Sequence, residues 1–314
     1  DYSLSGGMAV QDAVRAGCDQ NCGNTFKKYG KKALKSGGIS QNHLNTAVRR
    51  ILRLLFRLGL FDPMKRNPYT HLGWKDVRTE PHLKLALEGA RQSIVLLHNG
   101  DQRPVLPFQK GKRILITGPM NNATDEFLGN YHGATCHDGS GGCLLSLAQW
   151  LHKVNVNGSV QAKQGVPVGC VTNETEIPSV VDAARNVDYI ILALGGICHE
   201  SEGADRDNLS LPGSQMALFN ALVELQKPLA VVIVNGGTYA VDEIAAQKQV
   251  ALLQTGFAGQ AAPQAIAEVL FGLVNPSGKL TSTVYPSKYT SGKSMSGTPW
   301  VQSYLRPTES SEGR

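Results

Sequence analysis

Long apolar runs are missing from the sequence. No window reaches the roughly 18 consecutive apolar residues that a membrane-spanning helix needs, although 41% of the 314 residues are hydrophobic. Residues 1–20 also lack the charged-then-apolar order of a signal peptide. We therefore expect a chain with no membrane partner and with enough apolar residues to bury the cores of about two domains.

Phosphate-binding and nucleic-acid-binding motifs are missing as well. Neither a GxGxxG motif nor a GxxxxGK loop occurs in the sequence. The NGG at 235–237 is typical of a glycine turn at the end of a strand, and nucleotide binding is the weaker alternative. The net charge is +6, but aromatic residues make up only 6% of the chain. The one dense basic cluster, FKKYGKKALK at 26–35, is typical of a solvated helix face. We expect no nucleic-acid partner and no cofactor.

The six cysteines follow no zinc or redox spacing. CDQNC at 18–22 is not a CxxC, and no pair of histidines follows it, so we expect no metal site. An even cysteine count favours disulfides in a secreted protein, with the pairing left open. Four glycosylation sequons point the same way; they begin at Asn122, Asn157, Asn173 and Asn208.

A strongly amphipathic helix is predicted near the N-terminus of the chain. Ser40 is a suitable N-cap, and Gly59 is a suitable residue to end the helix. The two prolines in FDPMKRNPYTHLGW at 61–74 then indicate a linker. The apolar face of the helix consists of Leu44, Val48, Ile51, Leu52, Leu55 and Leu58.

Apolar, β-rich runs alternate with helical patterns in the rest of the chain. The runs lie at 93–99, 113–119, 188–196, 228–237 and 250–256, and the helical patterns lie near 82–92, 143–153, 176–186, 214–226, 239–247 and 260–272. Strands that are apolar along both faces are buried on both faces, so helices must cover the sheet on each side. The sequence therefore predicts the α/β class, with a mostly parallel sheet between two helical layers.

An acidic run, HESEGADRDNLSLPG at 199–213, follows directly after the apolar run YIILALGG. Ligands of open parallel sheets bind where the strands end at their carboxyl edge. Cleavage of a glycosidic bond needs one carboxylic acid and one carboxylate, and neighbouring carboxyl groups shift each other's pKa in the required direction. Glu200 and Glu202 are therefore candidate acids, and a solvated turn is the alternative.

Five stretches together carry a family resemblance. GGICHESEGADRDNLSLPGSQ at 195–215 resembles the acid/base loop of glycoside hydrolase family 3. The stretches RLGLFDP (57–63), ARQSIVLLHNG (90–100), GPMNNATDEFLGNYHG (118–133) and GFAGQAAPQAIAEVLFGLVNPSGKL (256–280) agree with that family in order. Within the family, GPMNNATDEFLGNYHGATC and SYLRPTESSEGR look like the plant and fungal β-D-xylosidase branch.

The resemblance implies two catalytic carboxylates in a retaining exo-hydrolase. The stretch that begins at Asp1 aligns with the one that begins at the family's nucleophile, so Asp1 matches the nucleophile. The family places its acid/base Glu four positions before an Arg, which matches Glu202 and Arg206, with Glu200 as the second choice. Arg206, Glu200 and His199 are then candidates for substrate contacts, and an ion pair is the alternative for Arg206.

The resemblance also implies a domain organisation. Residues 1–62 correspond to the C-terminal remnant of a catalytic (α/β) barrel, 63–84 to a linker, 85–286 to an α/β sandwich, and 287–314 to an extended tail before a fibronectin-like domain. We therefore expect an internal fragment of a longer secreted or cell-wall protein, inactive by itself because the family's sugar-gripping residues lie mostly in the barrel.

The expected activity is removal of terminal β-D-xylosyl residues, or of α-L-arabinofuranosyl residues, from xylan-derived oligosaccharides by double displacement. A β-glucosidase of the same family is one alternative. A non-catalytic carbohydrate-binding or interaction module is another, since many α/β sandwiches only bind. The sugar and the oligomeric state stay open.

Overall fold

The computed structural model describes residues 3–101, 103–133, 135–136, 142–196, 198–202, 204, 206 and 208–290. The chain divides into two compact units, 1–76 and 77–314. No helix within the described ranges is both long enough and apolar enough to cross a membrane.

The first unit is helical. Its helices are α1 (Gly6–Arg15), α2 (Thr25–Lys35) and α3 (Gln41–Arg57), followed by short 3-10 turns at Met64–Arg66 and Trp74–Asp76. Val10, Ala33 and Ile39 form its small buried core. The unit therefore buries few apolar side chains.

Helix α3 confirms the predicted amphipathic helix. Ser40 caps it as expected: its hydroxyl accepts the His43 N–H, and the His43 side chain accepts the Ser40 N–H. The chain leaves the helix at Gly59, whose φ of 72° is in the left-handed region. Its apolar face is nevertheless largely exposed, since Leu44 and Leu52 keep 39% and 40% of their surface accessible.

The second unit is built from six strands and six helices among its described residues. In chain order they are α4 (Glu80–Ser93), β1 (Val95–Asn99), β2 (Arg113–Thr117), α5 (Leu147–Val154), β3 (Ser159–Ala162), α6 (Ile177–Arg185), β4 (Tyr189–Gly195), α7 (Gln215–Val223), β5 (Leu229–Asn235), α8 (Asp242–Ala245), β6 (Val250–Gly256) and α9 (Ala262–Leu270).

The sheet has the order β1-β6-β5-β4-β2-β3. All neighbours are parallel except β1, which pairs antiparallel with β6. After β2 the chain moves outward to β3 and then returns to place β4 on the other side of β2. The carboxyl ends of β2 and β4 are therefore a topological switch point, where open α/β sheets bind ligands.

Helices cover both faces of this sheet, as the sequence predicts. Helices α4, α5 and α9 pack on the face that carries Ile191 and Ala193 of β4. Helices α6, α7 and α8 pack on the opposite face, which carries Ile190, Leu192 and Leu194. Successive residues of a strand point to opposite faces, so an entirely apolar strand serves both cores.

Three elements differ from the sequence-based expectations. Strand β3 is absent from the predicted set because it is a mostly exposed edge strand with no apolar run. Helix α8 covers only 242–245 of the predicted 239–247, since Tyr239 and Val241 are buried as part of the preceding loop. Helix α5 starts at 147, not 143, because Ser146 forms a capping box with Gln149.

The ranges predicted as linker and tail hold some regular structure. Helix α4 begins at Glu80, inside the predicted linker 63–84. The predicted extended tail begins with a 3-10 turn at Ser287–Thr290, and residues 291–314 lie outside the described ranges.

Candidate active site

An open pocket of about 980 Å³ lies at the carboxyl edge of the sheet. The loops that follow β2, β4, β5 and β6 contribute to its lining through Tyr131, Glu202, Gly236 and Phe257, respectively. The parallel register brings these strand ends to one edge, so residues far apart in sequence meet there. The pocket lies where the topology favours ligand binding.

The end of β4 is held by a buried glutamine. Gln215 accepts the Gly195 N–H at 2.7 Å and donates to the Gly195 carbonyl at 2.9 Å. Gly195 itself has a φ of 99°, and a Cβ there would clash with the Val234 carbonyl oxygen of β5. A residue with a side chain does not fit this position, so the strand can turn into the acidic loop only at a glycine.

Glu202 lies on a tight turn at the mouth of the pocket. The backbones of Ser201 and Ala204 exchange two hydrogen bonds on either side of it. Glu202 is exposed, and its carboxylate accepts a hydrogen bond from the Tyr131 hydroxyl of the loop after β2. This hydrogen bond raises the pKa of Tyr131. One oxygen of Glu202 is thus held by Tyr131, and the other can face a ligand.

Glu200 has the opposite environment. Its side chain is only 4% exposed and forms a 3.0 Å ion pair with Arg206. Its second oxygen accepts the Gly236 N–H at 2.7 Å. Burial and the charge of Glu200 together raise the pKa of the neighbouring Tyr239 hydroxyl. The carboxylate of Glu200 is therefore engaged within the protein, which favours Glu202 as the acid.

Arg206 joins the same buried cluster. Its guanidinium donates to the Thr238 carbonyl at 2.9 Å and lies 4.0 Å above the Tyr239 ring. A weaker hydrogen bond reaches the Asn208 carbonyl. The side chain lines the pocket but is only 13% exposed, because most of it lies against these protein groups. These contacts favour a structural ion pair, rather than a sugar contact, as the role of Arg206.

Two further contacts attach the acidic loop to its surroundings. Cys198 forms a disulfide with Cys170, which lies after β3. The Leu209 carbonyl accepts the Ala240 N–H of the loop after β5. The loop is thus tied at both ends to neighbouring strand-end loops.

His199 and Asp1 are the two other predicted site residues. His199 is exposed at the pocket with a φ of 49°. Its ring lies near Cys170 and Cys198, but the disulfide uses both sulfurs, so this cluster offers no thiolate ligands for a metal. Asp1, the candidate nucleophile, lies outside the described residues.

The four sequon asparagines, Asn122, Asn157, Asn173 and Asn208, are all exposed. Their glycosylation stays a prediction. A second disulfide joins Cys136 and Cys143, while Cys18 and Cys22 are free and exposed.

Residues 94–309 match the Glycosyl hydrolase family 3 C-terminal domain. The chain belongs to glycosyl hydrolase family 3. The match covers the strands, the acidic loop and the pocket.

Relatives in the family include xylosidases of fungi and plants. The chain is 33% identical to a probable exo-1,4-beta-xylosidase of Aspergillus terreus, with 100% of the chain and 39% of that protein aligned. It is 35% identical to beta-D-xylosidase 3 of Arabidopsis thaliana, with 94% of the chain and 37% of that protein aligned. The chain therefore spans well under half the length of these relatives.

Solved structures of family 3 enzymes share the fold. An exo-beta-xylosidase in complex with a xylobiose aziridine probe matches with a TM-score of 0.77 and 29% identity over 92% of this chain and 36% of that chain. A beta-glucosidase from Listeria innocua in complex with isofagomine matches with a TM-score of 0.70 and 28% identity over 89% of this chain and 38% of that chain.

Sequence reasoning missed two residues at the site. Tyr131 lies within the GNYHG part of a stretch used for the resemblance, yet a single exposed tyrosine carries no signal until its loop meets that of Glu202. Gln215 ends the LPGSQ stretch of the resemblance, but its support of the strand end depends on its burial, which the sequence does not show.

Proposed function

We propose that the chain is part of a retaining exo-acting β-D-xylosidase in which Glu202 is the acid/base residue and Asp1 the nucleophile. The observation that carries the proposal is the contrast between two glutamates of one loop. Both line the pocket, but Glu202 is exposed there, whereas the Glu200 side chain is buried in an ion pair. Xylosidases among the relatives support the choice of sugar.

The proposed reaction has two steps. In the first, an Asp1 oxygen bonds to the anomeric carbon while the bond to the leaving oxygen breaks, and Glu202 gives its proton to that oxygen. In the second, Glu202, now a carboxylate, takes a proton from water as the water oxygen bonds to the same carbon and releases Asp1. The proton of Glu202 is restored, so the cycle closes.

Replacing Glu202 by Gln tests the proton-donor role. In the longest gene product that contains residues 1–314, we expect E202Q to lower kcat/KM for xylobiose by about 10²–10⁴-fold, the usual contribution of general acid catalysis. A dinitrophenyl β-xyloside needs no protonation of its leaving group, so formation of the glycosyl-enzyme from it should be nearly unaffected. Equal losses on both substrates would contradict the role.

The same assay decides the sugar. We expect a nitrophenyl β-xyloside to be preferred over the corresponding β-glucoside and α-L-arabinofuranoside. A β-glucosidase is the second candidate, supported by the fold shared with the Listeria innocua enzyme. A higher kcat/KM for the β-glucoside would select it, and absence of turnover with all three sugars would favour a binding module.

A further inference from the structure

The pocket loop contains a buried charge that the proposed reaction does not use. Glu200 lies two residues before Glu202, and burial of a carboxylate is unfavourable unless charge and hydrogen bonds compensate for it. Here Arg206 supplies the charge and the Gly236 N–H supplies a hydrogen bond. Burial of a carboxylate in this way does not add to solubility, so we expect its role to lie in the structure of the loop.

The geometry of the loop suggests what the ion pair achieves. Glu200 and Arg206 flank the turn whose ends are the bridged residues Ser201 and Ala204, and Glu202 lies within that turn. The ion pair therefore joins residues 200 and 206, and the backbone bridge joins residues 201 and 204 between them. The backbone that carries Glu202 is thus held by both contacts.

The same ion pair attaches the turn to β5, an interior strand of the sheet. Glu200 binds the N–H of Gly236, the residue directly after β5, and Arg206 binds the carbonyl of Thr238. Larger residues do not fit at Gly236 and Gly237, the two glycines directly after β5. A Cβ on Gly237 would lie 2.9 Å from Arg206 Nη2, and one on Gly236 would lie 2.7 Å from the Phe257 ring.

We infer that Glu200 is a positioning residue that holds Glu202 at the reacting bond by anchoring its turn to the end of β5. The inference rests on the proposed role of Glu202 and assigns Glu200 a role other than sugar contact. A general acid must lie within hydrogen-bond reach of the oxygen that it protonates. Misplacement by about 1 Å can cost about 10²-fold in rate.

The first test measures hydrogen exchange in the 314-residue chain and needs no activity. We expect E200Q, which keeps the side-chain volume but removes the charge, to speed exchange of the Ser201, Ala204 and Gly236 amides by about tenfold or more. Amides of β4 should be unchanged, which would show that the sheet remains folded. E200A should give the same pattern more strongly.

Glu224 provides the matched control. It is an exposed glutamate at the C-terminal end of α7, near the opposite edge of the sheet, so E224Q should leave exchange in the turn unchanged. If E200Q also left the exchange rates of Ser201 and Ala204 unchanged while β4 stayed protected, Glu200 would not hold the turn, and the inference would be overturned.

The second test is kinetic and uses the longest gene product that contains this chain. We expect E200Q to lower kcat for xylobiose by about 10–100-fold with a smaller change in KM, and to affect the dinitrophenyl xyloside much less. An E202Q effect without any E200Q effect would overturn the inference and leave the proposed function standing. If E202Q lacked the leaving-group signature, the proposed function would fail, and the exchange test would still decide whether Glu200 anchors the turn.

Discussion

Glutamates of this chain differ in role because their surroundings differ. Glu268 of α9 is 8% exposed and receives two hydrogen bonds from Arg91 of α4, at 2.7 and 3.0 Å. Gln264 adds a third. Burial alone would raise the pKa of Glu268, but the hydrogen bonds and the charge of Arg91 lower it below its ordinary value. This pair joins two helices on one face of the sheet, whereas Glu200 and Arg206 lie in one loop and attach it to the loop after β5.

Loss of Arg91 should therefore destabilise the protein in a pH-dependent way. We expect R91A to lower the free energy of unfolding by about 1.5–3 kcal/mol at neutral pH, because a mostly buried carboxylate loses charged hydrogen bonds. Since the folded pKa is depressed, the stabilisation is present above the ordinary pKa of about 4.3 and is lost as the pH falls through the folded value. Urea unfolding at about pH 7 and about pH 3 measures this.

Arg185 supplies the control for R91A. It pairs with Asp182 on the surface of α6, where both side chains are more than half exposed. R185A should change the free energy of unfolding by only about 0–0.5 kcal/mol, because exposed pairs of this kind contribute little. A destabilisation by R91A that persisted undiminished in acid would contradict the role of the ionised Glu268.

At the scale of elements, the described residues of the loop after β4 are held at several points. The Cys170–Cys198 disulfide fixes its start, the Glu200–Arg206 ion pair closes its turn, and Gln215 fixes the end of the strand that leads into it. The disulfide and Gln215 come from neighbouring segments, and the ion pair lies within the loop itself. These attachments, together with the buried Leu209 and Leu211, hold the loop against the sheet edge.

The two disulfides should differ in their contribution to stability. Cys170–Cys198 closes a loop with a sequence separation of 28, and Cys136–Cys143 closes one of 7. On the chain-entropy relation, we expect C170S/C198S to lower the free energy of unfolding by about 3.5 kcal/mol and C136S/C143S by about 2.3 kcal/mol. Urea unfolding of both variants tests the order.

The exposed, unpaired Cys18 and Cys22 serve as the control for these variants. C18S/C22S should leave the stability of the second unit unchanged, since neither thiol belongs to a disulfide. Equal losses for the two disulfide variants, or a larger loss for the shorter loop, would mean that loop entropy does not govern their contribution.

At the scale of the whole molecule, the chain belongs to a family of enzymes but spans 39% of the Aspergillus terreus relative. The resemblance assigns most sugar contacts to a barrel, and the α/β unit contributes one candidate catalytic acid. We therefore predict that the purified 314-residue chain releases no nitrophenol from a nitrophenyl β-xyloside above the rate of a heat-unfolded sample.

The longest gene product that contains the chain is the positive control for this assay and should turn over the same substrate. Turnover by the 314-residue chain that D1N abolishes would contradict the prediction, because loss of the proposed nucleophile stops the reaction with any leaving group. Turnover that D1N leaves intact would instead indicate a contaminating enzyme.

The α/β class could be predicted because apolar runs such as 188–196 and 228–237 are continuous in sequence, and a strand that is apolar on both faces is buried on both faces. Glu202 could be proposed because its spacing to Arg206 matches the pattern of the family that the sequence resembles. Strand β3 could not be predicted, because an exposed edge strand needs no apolar run. The contact between Tyr131 and Glu202 could not be predicted either, since the two residues lie 71 positions apart and no local pattern links them.

The sequence by itself determined the layers of this protein, the strand that leads to the site and the family, since periodicity and short motifs are local properties of the chain. Only the tertiary structure decided which glutamate is exposed and which is buried. That choice depends on where β2, β4 and β5 end relative to one another. The order of strands in a sheet is set by packing over the whole unit, and no local stretch encodes it.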